Sequence, residues 1–176
     1  IPDSLTHEFK TAHGRTVRDG GGITPDVTIE GHDYSRLTYS LVYSGIIQEY
    51  ALDYVREHAD ADEDFHLADK DWDGFVAFAK TKEFDYRSSA KTYFDRMKKE
   101  LEKDGLSKNM SAELDALQKA LEMDKETFLK LKKDEIVPFI EEEIAVRYHF
   151  QEAGIKIRLR YDEQLKKALA SPMIEL

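Results

Sequence analysis

The sequence contains no cysteine, only four prolines and a single tryptophan among its 176 residues. Without cysteine, the chain has no disulfide, no thiolate zinc site and no cysteine nucleophile. This absence leaves the compartment open, because an oxidising compartment permits disulfides without requiring them. No apolar run approaches the ~20 residues that a membrane-spanning helix requires, so the pattern does not predict a transmembrane segment.

Acidic side chains outnumber basic ones, and the formal net charge is −10. An acidic surface repels phosphate backbones, which argues against general nucleic-acid binding. The hydrophobic fraction of 41% is enough for a core, and the charged fraction of 35% favours long solvated helices. The length suits one compact domain, or a small domain with an appendage.

The chain starts with Ile1-Pro2-Asp3, without an initiator methionine or the basic and apolar stretches of a signal peptide. We therefore expect a segment cut from a longer chain. A protein trimmed of a tag or leader is the alternative, and it also leaves residues missing upstream.

Glycine marks a division of the chain near residue 33, because five of the nine glycines fall within the first 31 residues. Two strand-like runs, Thr6–Thr11 and Arg15–Arg18, flank a turn. The pair His13-Gly14 can serve as a two-residue hairpin turn, since glycine adopts a positive φ freely and histidine tolerates it. Val27–Ile29 alternates as a further short strand should.

Helical spacing begins after Asp33, the expected N-cap of one long helix from about Tyr34 to His58. An acidic linker follows at Ala59–Asp64. Further helices are predicted around Trp72–Ala79, from Ser88 or Ser89 to a stop at Gly105, from a cap at Ser111 to Leu121, around Phe128–Leu131, from Asp134 or Glu135 toward Gly154, and over Asp162–Ala170. Pro138 is expected in the first turn of its helix, where proline is tolerated. Residues 155–160 fit either a strand or a helix.

The predicted fold is therefore mainly α, with an N-terminal β-hairpin and short-strand segment over residues 1–33 and a multi-helix bundle over residues 34–176. Helical spacing among charged neighbours predicts which apolar side chains are buried. They are Leu37, Leu41, Trp72, Phe94, Leu117, Ile140 and Ile144.

The run Asp69–Gly74 resembles the opening of a calcium-binding EF-hand loop, with carboxylates at alternate positions before a turn glycine. The twelfth position should supply a bidentate glutamate and is Lys80, and the residues from Phe75 have helical spacing. The favoured interpretation is an acidic helix N-terminus, in which Asp71 is the cap and Asp73 interacts favourably with the helix dipole.

Ser88 and Lys91 have the S-x-x-K spacing of penicillin-binding enzymes, but no S-D-N or K-T-G element accompanies them. Capping of a helix by Ser88 or Ser89 is the better interpretation. The six histidines show no zinc-ligand spacing. Glu141–Glu143 is expected to coat a solvated helix face rather than bind a metal. We therefore expect no metal and no cofactor.

Residues 9–27 hold the most specific pattern of the sequence, the run FKTAHGRTV at Phe9–Val17 followed by GGITPDV at Gly21–Val27. It resembles the carboxy-terminal processing peptidases, also called tail-specific proteases. Their pattern is an aromatic residue, a threonine, a turn ending in Gly-Arg, and then Gly-Ile-x-Pro-Asp. The family usually has Pro-Ser where this chain has Ala12-His13, and fewer glycines before the isoleucine, which points to a divergent bacterial branch.

The resemblance implies a parent peptidase with a serine nucleophile and a lysine general base, both upstream of this motif, and a PDZ domain that holds the C-terminus of the substrate. No residue of this chain matches the nucleophile or base motif, so the segment is expected to be catalytically silent. The matching residues are interpreted as shaping a hairpin and its exit turn in the protease core. They are Gly14, Arg15, Gly22, Ile23, Pro25 and Asp26. Contact of Arg15 with the substrate strand is the alternative.

The sequence thus predicts the non-catalytic C-terminal region of a serine-type C-terminal processing endopeptidase, whose helices pack on the protease core, regulate it or mediate oligomerisation. The implied partners are the protease core and PDZ domain of the same chain, and protein substrates through the parent enzyme. The resemblance implies the periplasm or cell envelope. The rival hypothesis is a free-standing acidic helical protein-interaction module without a protease parent.

The isolated hairpin leads to a further expectation. A lone two-stranded hairpin is marginal in water, and its open edges recruit other chains. We therefore expect residues 5–30 either to dock on the helices of the same chain or to pair with a second copy and form a homodimer.

Overall fold

The computed structural model describes residues 5–20, 28–31 and 33–170. Within these residues the chain is mainly α, as predicted, with eight α-helices and a short antiparallel sheet at the N-terminus. The elements are β1 (Glu8–Lys10), β2 (Thr16–Arg18), α1 (Arg36–Tyr43), α2 (Ile46–Glu57), α3 (Asp69–Lys80), α4 (Ser89–Lys103), a 3-10 turn (Ser107–Met110), α5 (Ser111–Leu121), α6 (Lys125–Leu131), α7 (Lys133–Arg160) and α8 (Glu163–Ala170).

The chain divides into two compact units. One is formed by residues 1–32 together with 163–176, and it contains the β-hairpin and α8. The other is formed by residues 33–162 and contains α1 to α7. Among the described residues, no helix combines the length and the apolar character needed to cross a bilayer.

The β-hairpin forms as predicted, but its turn differs. Phe9 pairs with Val17 in the antiparallel ladder. The ladder extends one pair beyond β1 and β2, because Thr11 N donates a hydrogen bond to Arg15 O at 2.8 Å. The loop is therefore residues 12–14, one residue longer than predicted, and only its last residue, a glycine with φ of 81°, adopts the left-handed conformation. A turn followed by such a glycine is a common three-residue hairpin connection.

Two predictions at the junction between strands and helices are wrong. Residues 28 and 29 do not form a strand, and Val27 lies outside the described residues. The N-cap of α1 is Ser35, not Asp33, since the Ser35 side chain accepts a hydrogen bond from Thr38 N at 3.4 Å. Serine satisfies an otherwise unpaired N–H in the same way as aspartate.

The helix predicted over Tyr34–His58 is two helices, α1 and α2. The chain turns at Ser44-Gly45, where Gly45 has φ of 75° and Ser44 N donates to Ser40 O at 3.0 Å. Buried residues Leu41 and Ile46 lie on either side of the turn. Because the hydrophobic spacing continues across it, periodicity alone did not show the break.

The main hydrophobic core is built from α1, α2, α3, α6 and the first part of α7. Burial is confirmed for six of the predicted side chains: Leu37, Leu41, Trp72, Phe94, Ile140 and Ile144. The seventh prediction is wrong, because Leu117 is 44% exposed. Helix α5, which carries Leu117, packs mainly on α4 and the 3-10 turn. One face of α5 therefore buries Leu114, and the adjacent face with Leu117 is exposed to solvent.

Helix α7 folds back on itself. Its helical conformation is interrupted at His149 and Phe150, where Phe150 has φ of 62° and ψ of −169°. We call residues 133–148 the first arm and residues 151–160 the return arm. Residues 155–160, for which the sequence allowed either a strand or a helix, are therefore helical. Pro138 lies in the second turn of the helix, not in the first as predicted, because the helix already begins at Lys133.

The predicted helix ends are partly confirmed. Ser88 caps α4, and Gly105 ends it with φ of 72°. The caps predicted at Asp71 and Ser111 are wrong, because both residues lie inside the first turn of their helices. Helix α3 begins after Ala68 without a side-chain cap.

Candidate functional site

Gly14 and Arg15, two of the residues of the family motif, lie together in the hairpin loop. Gly14 N donates to Thr11 O at 2.9 Å, and Arg15 N donates to Thr11 Oγ1 at 3.2 Å. No atom lies within 4 Å of where a Cβ of Gly14 would stand, so there is room for a side chain at this position. Glycine is required there because the backbone has a positive φ, which other residues rarely adopt. The other motif residues, Gly22, Ile23, Pro25 and Asp26, lie outside the described residues.

Both strands of the hairpin are exposed along their whole length. The apolar side chains of the central pair, Phe9 and Val17, are 54% and 40% exposed. The pair beside it is joined by an ion pair of 2.6 Å between Arg18 Nη2 and Glu8 Oε1. The hairpin thus presents a short apolar pair to its surroundings, and among the described residues no third strand pairs with β1 or β2.

Ser88 and Lys91 do not form a nucleophile and its base. Ser88 Oγ accepts a hydrogen bond from the backbone N of Lys91 at 3.0 Å, which is the N-cap of α4. Lys91 Nζ instead donates to Asp95 Oδ1 at 2.5 Å, one helical turn further along. A general base must reach the proton that it removes, and this ammonium pairs with Asp95 rather than with the serine hydroxyl. The capping interpretation is confirmed.

The calcium-like run Asp69–Gly74 is the first half of helix α3 and not a loop. Asp69 Oδ1 accepts a hydrogen bond from Lys133 Nζ at 2.7 Å, and the backbone O of Asp71 accepts one from Tyr50 OH at 2.6 Å. An EF-hand requires these residues to wrap around the ion as a loop. The interpretation of the run as an acidic helix N-terminus is therefore confirmed, apart from its cap.

A buried carboxylate, that of Glu141, was missed by the sequence analysis. Glu141 was expected on a solvated face, but only 2% of it is exposed. Arg160, the last residue of the return arm of α7, donates a hydrogen bond to it. A signal was present in the sequence, because the positions four before and three and four after it are all apolar: Val137, Ile144 and Ala145. Glu141 therefore belongs to the apolar stripe of the first arm.

Three donors from two separate segments hold this carboxylate. Leu67 N donates to Oε1 at 2.8 Å, and Arg160 Nη1 and Tyr161 OH donate to Oε2 at 2.9 and 2.8 Å. Arg160 Nη1 also donates to Phe65 O at 2.8 Å, and its Nη2 pairs with the Asp64 carboxylate. The acidic linker, the first arm and the end of α7 are thus joined at one point.

The chemistry of this cluster is structural. Partial burial and the neighbouring Glu141 carboxylate raise the pKa of Tyr161 to about 12, so the phenol stays protonated and donates. Both carboxylate oxygens of Glu141 accept hydrogen bonds from the protein itself. These hydrogen bonds join the end of α7 and the segment before α3 to the first arm.

A second carboxylate, that of Glu135, joins α7 to the start of α1. Its Oε2 accepts from Ser35 N at 2.8 Å and from Thr38 Oγ1 at 3.0 Å, and its Oε1 accepts from Lys132 Nζ at 2.5 Å. Partial burial by itself would raise the pKa of Glu135, but the hydrogen bonds from Lys132, Ser35 and Thr38 outweigh burial and lower the pKa to about 2.

The return arm crosses the first arm at Gly154. A Cβ at this position would stand 2.5 Å from Val146 Cγ2 and 3.9 Å from Glu142 O. The absence of a side chain lets the two arms approach, and Ala145, Ala153 and Ile157 form a small buried cluster at the crossing.

Comparison with known proteins identifies one family. A protein-family model described as "Probable PDZ-protease, C-terminal helical domain" matches residues 37–171, most of the chain. No curated protein and no solved structure gives a match. The matched segment begins within α1 and includes all the later helices. The chain therefore belongs to the family of C-terminal helical domains of probable PDZ-proteases.

Proposed function

We propose that this chain is the non-catalytic C-terminal region of a serine-type endopeptidase that processes protein C-termini, and that its helices pack on the protease core. The order of two independent signals supports the proposal. Residues 9–27 resemble the end of the core of a C-terminal processing peptidase, and the family match to the helical domain follows at residues 37–171. The family match also favours this proposal over a free-standing interaction module.

The hairpin is the segment proposed to belong to the protease core. Two exposed strands of three residues each are marginal on their own. A core sheet would supply neighbouring strands for their edges and cover the Phe9–Val17 pair. On this proposal the helices come directly after the core sheet in the chain, and their role is to pack on that sheet.

Catalysis would depend on groups outside this chain. In the parent enzyme, an upstream serine would attack the peptide bond, an unprotonated lysine would accept its proton, and backbone N–H groups would hold the oxyanion. In this chain the Ser88 hydroxyl caps α4 and the Lys91 ammonium pairs with Asp95. The periplasm or cell envelope is proposed as the location on the family resemblance alone.

Peptidase assays test the proposal. The 176-residue chain should not cleave a peptide with an apolar C-terminus, whereas the longer protein from the same gene should cleave it and lose activity when its upstream serine is replaced. Ser88→Ala and Lys91→Ala should leave the turnover of the longer protein unchanged. Cleavage by the 176-residue chain that either variant abolishes would overturn the proposal. An upstream sequence without a serine and lysine pair would favour the interaction module.

A further inference from the structure

The return arm of α7 packs separately from the main hydrophobic core. Among the described residues, the side chains of the main core reach no further along α7 than Tyr148. The buried residues of the return arm, Ala153 and Ile157, instead form a small cluster with Ala145 of the first arm. The return arm can therefore detach without opening the main core.

Polar contacts also hold the return arm, and its bases face acids of the first arm. Arg158 Nε lies 3.1 Å from Glu142 Oε1. Arg160 and Tyr161 donate to the buried Glu141 carboxylate at 2.9 and 2.8 Å. A segment without these donors would leave a buried carboxylate poorly paired, which is costly. The surface of the first arm is thus specific for a return arm.

The connection between the two arms is short and strained. Only His149 and Phe150 depart from helical conformation, whereas connections between helices usually have about two to eight residues. Phe150 has φ of 62° and ψ of −169°, a region that is essentially restricted to glycine. Its side chain is 81% exposed, so burial of the ring does not offset the strain.

The contacts between the arms are symmetrical about this connection. Gly154 opposes Val146, and each lies four positions from Phe150. Arg158 pairs with Glu142, and each lies eight positions from Phe150. Two copies that open at Phe150 can therefore exchange return arms about a twofold axis beside this residue and keep the same register.

We propose that the surface of the first arm that contacts the return arm also binds a second copy of the chain, and that two copies form a dimer by exchanging return arms. In this dimer, Arg160 and Tyr161 of each copy donate to Glu141 of the other. Opening lets both copies leave the strained conformation at Phe150, and the contacts between the arms are kept. Short connections under strain favour such an exchange. The inference goes beyond the proposed function, since it assigns a partner and its surface.

Paired cysteines show which copy supplies the return arm. The chain has no cysteine of its own, so Glu142→Cys with Arg158→Cys introduces a single pair that bridges the arms. The protein is held at high concentration in urea below its unfolding transition, and monomer and dimer are then separated by size-exclusion chromatography. On a denaturing gel, a bismaleimide should have linked the two positions within one chain in the monomer and between two chains in the dimer.

A matched pair on other helices is the control. Lys98 Nζ donates to Gln118 Oε1 at 2.9 Å between α4 and α5, so Lys98→Cys with Gln118→Cys should be linked within one chain in both fractions. In the dimer, links within one chain between positions 142 and 158 would mean that the copies associate through another surface, such as the β-hairpin, and would overturn the proposal. Failure of the chain to form a dimer under these conditions would also overturn it.

Substitutions of Phe150 separate backbone strain from contacts of the ring. Phe150→Gly relieves the strain in the monomer and should raise the dissociation constant of the dimer at least about tenfold. Phe150→Ala removes the ring but keeps a Cβ, so its dimer should be as stable as that of the unmodified chain. Equal dissociation constants for the two variants would mean that strain does not favour the exchange, which is the result that contradicts the proposal.

Discussion

Glu141 shows how one side chain can connect distant parts of this chain. Its carboxylate is buried and accepts hydrogen bonds from Leu67, just before α3, and from Arg160 and Tyr161 at the end of α7. Loss of one member of such a cluster leaves buried polar groups unpaired, which costs more than the cluster itself contributes.

Glu141→Ala should therefore lower the free energy of unfolding by about 3 kcal/mol, because it leaves the Leu67 N–H, the Tyr161 hydroxyl and part of the Arg160 guanidinium without their acceptor. Urea denaturation followed by circular dichroism measures the change. Glu152→Ala, at a side chain that is 82% exposed, is the control and should stay within about 0.5 kcal/mol. Equal stability of the two variants would contradict the structural role of the cluster.

Glu135 should make the stability of the chain depend on pH in the acidic range. Its pKa is lowered from the ordinary value of 4.5 to about 2 in the folded chain. Its contribution is therefore fully present above pH 4.5 and is lost as the pH falls toward 2. Glu135→Gln should cost about 2 kcal/mol near neutral pH, and the difference from the unmodified chain should shrink in this acidic window.

Urea denaturation of both proteins at neutral pH and at about pH 3 checks this dependence. Glu163→Gln, at a side chain that is 70% exposed, is the control and should follow the unmodified chain at both values. A difference between Glu135→Gln and the unmodified chain that stays constant with pH would show that the carboxylate contributes nothing through its charge.

Burial of single residues could be predicted only where the helical pattern was unambiguous. Leu37, Ile140 and Ile144 follow the stripe and are buried. Glu141 lies in the same stripe, but its charge led to the opposite prediction, since its partners Arg160 and Tyr161 are 19 and 20 positions away. No local pattern in the sequence shows such a contact.

At the scale of elements, most helices follow from spacing, and their interruptions do not. The turn at Ser44-Gly45 and the reversal at His149-Phe150 both occur within continuous apolar patterns. Gly45 gives a usable signal, because glycine in a helical pattern often adopts a positive φ. Phe150 gives none, since phenylalanine rarely adopts the positive φ that it has here.

The crossing of the two arms of α7 predicts the effect of a single methyl group. Considered only as a change of helix propensity, Gly154→Ala would stabilise the folded chain by about 1 kcal/mol, because alanine favours a helix more than glycine does. The new Cβ, however, would stand 2.5 Å from Val146 Cγ2. Overpacking of this kind costs about 1–3 kcal/mol, so the variant should be less stable than the unmodified chain.

Removal of the opposing side chain separates the two effects. In the Val146→Ala background, Gly154→Ala should be neutral or stabilising, because the overlap is relieved and the helix propensity remains. Urea denaturation of the four proteins gives the coupling between the two positions. Additive effects, with Gly154→Ala stabilising in both backgrounds, would mean that the arms do not cross at this point.

For the whole molecule, the fold class and the family could be predicted from different parts of the sequence. The mainly α class follows from helical spacing after residue 33, and the protease resemblance rests on residues 9–27. The family match to residues 37–171 does not include that motif, so it supports the resemblance independently. The role of the helices could not be predicted, because side chains that pack in a hydrophobic core do not indicate a function.

The backbone of the β-hairpin indicates how the whole molecule could associate. The pairs His7–Asp19 and Thr11–Arg15 share backbone hydrogen bonds, and such pairs alternate along an antiparallel ladder. The N–H of Thr16 therefore points to the outer edge of β2. We expect this edge to pair with the same hairpin of a second copy, since a strand edge recruits other strands.

Light scattering should then show a dimer that forms as the concentration rises. Thr16→Pro should abolish it, because proline removes the outward N–H without removing a bond between β1 and β2, whereas Thr16→Ser keeps the N–H and should still dimerise. A strict monomer in which hydrogen exchange protects residues 5–18 would instead mean that the hairpin docks within its own chain. Fast exchange of these residues in a monomer would exclude both arrangements, and the hairpin would then gain its order from the sheet of the complete protease.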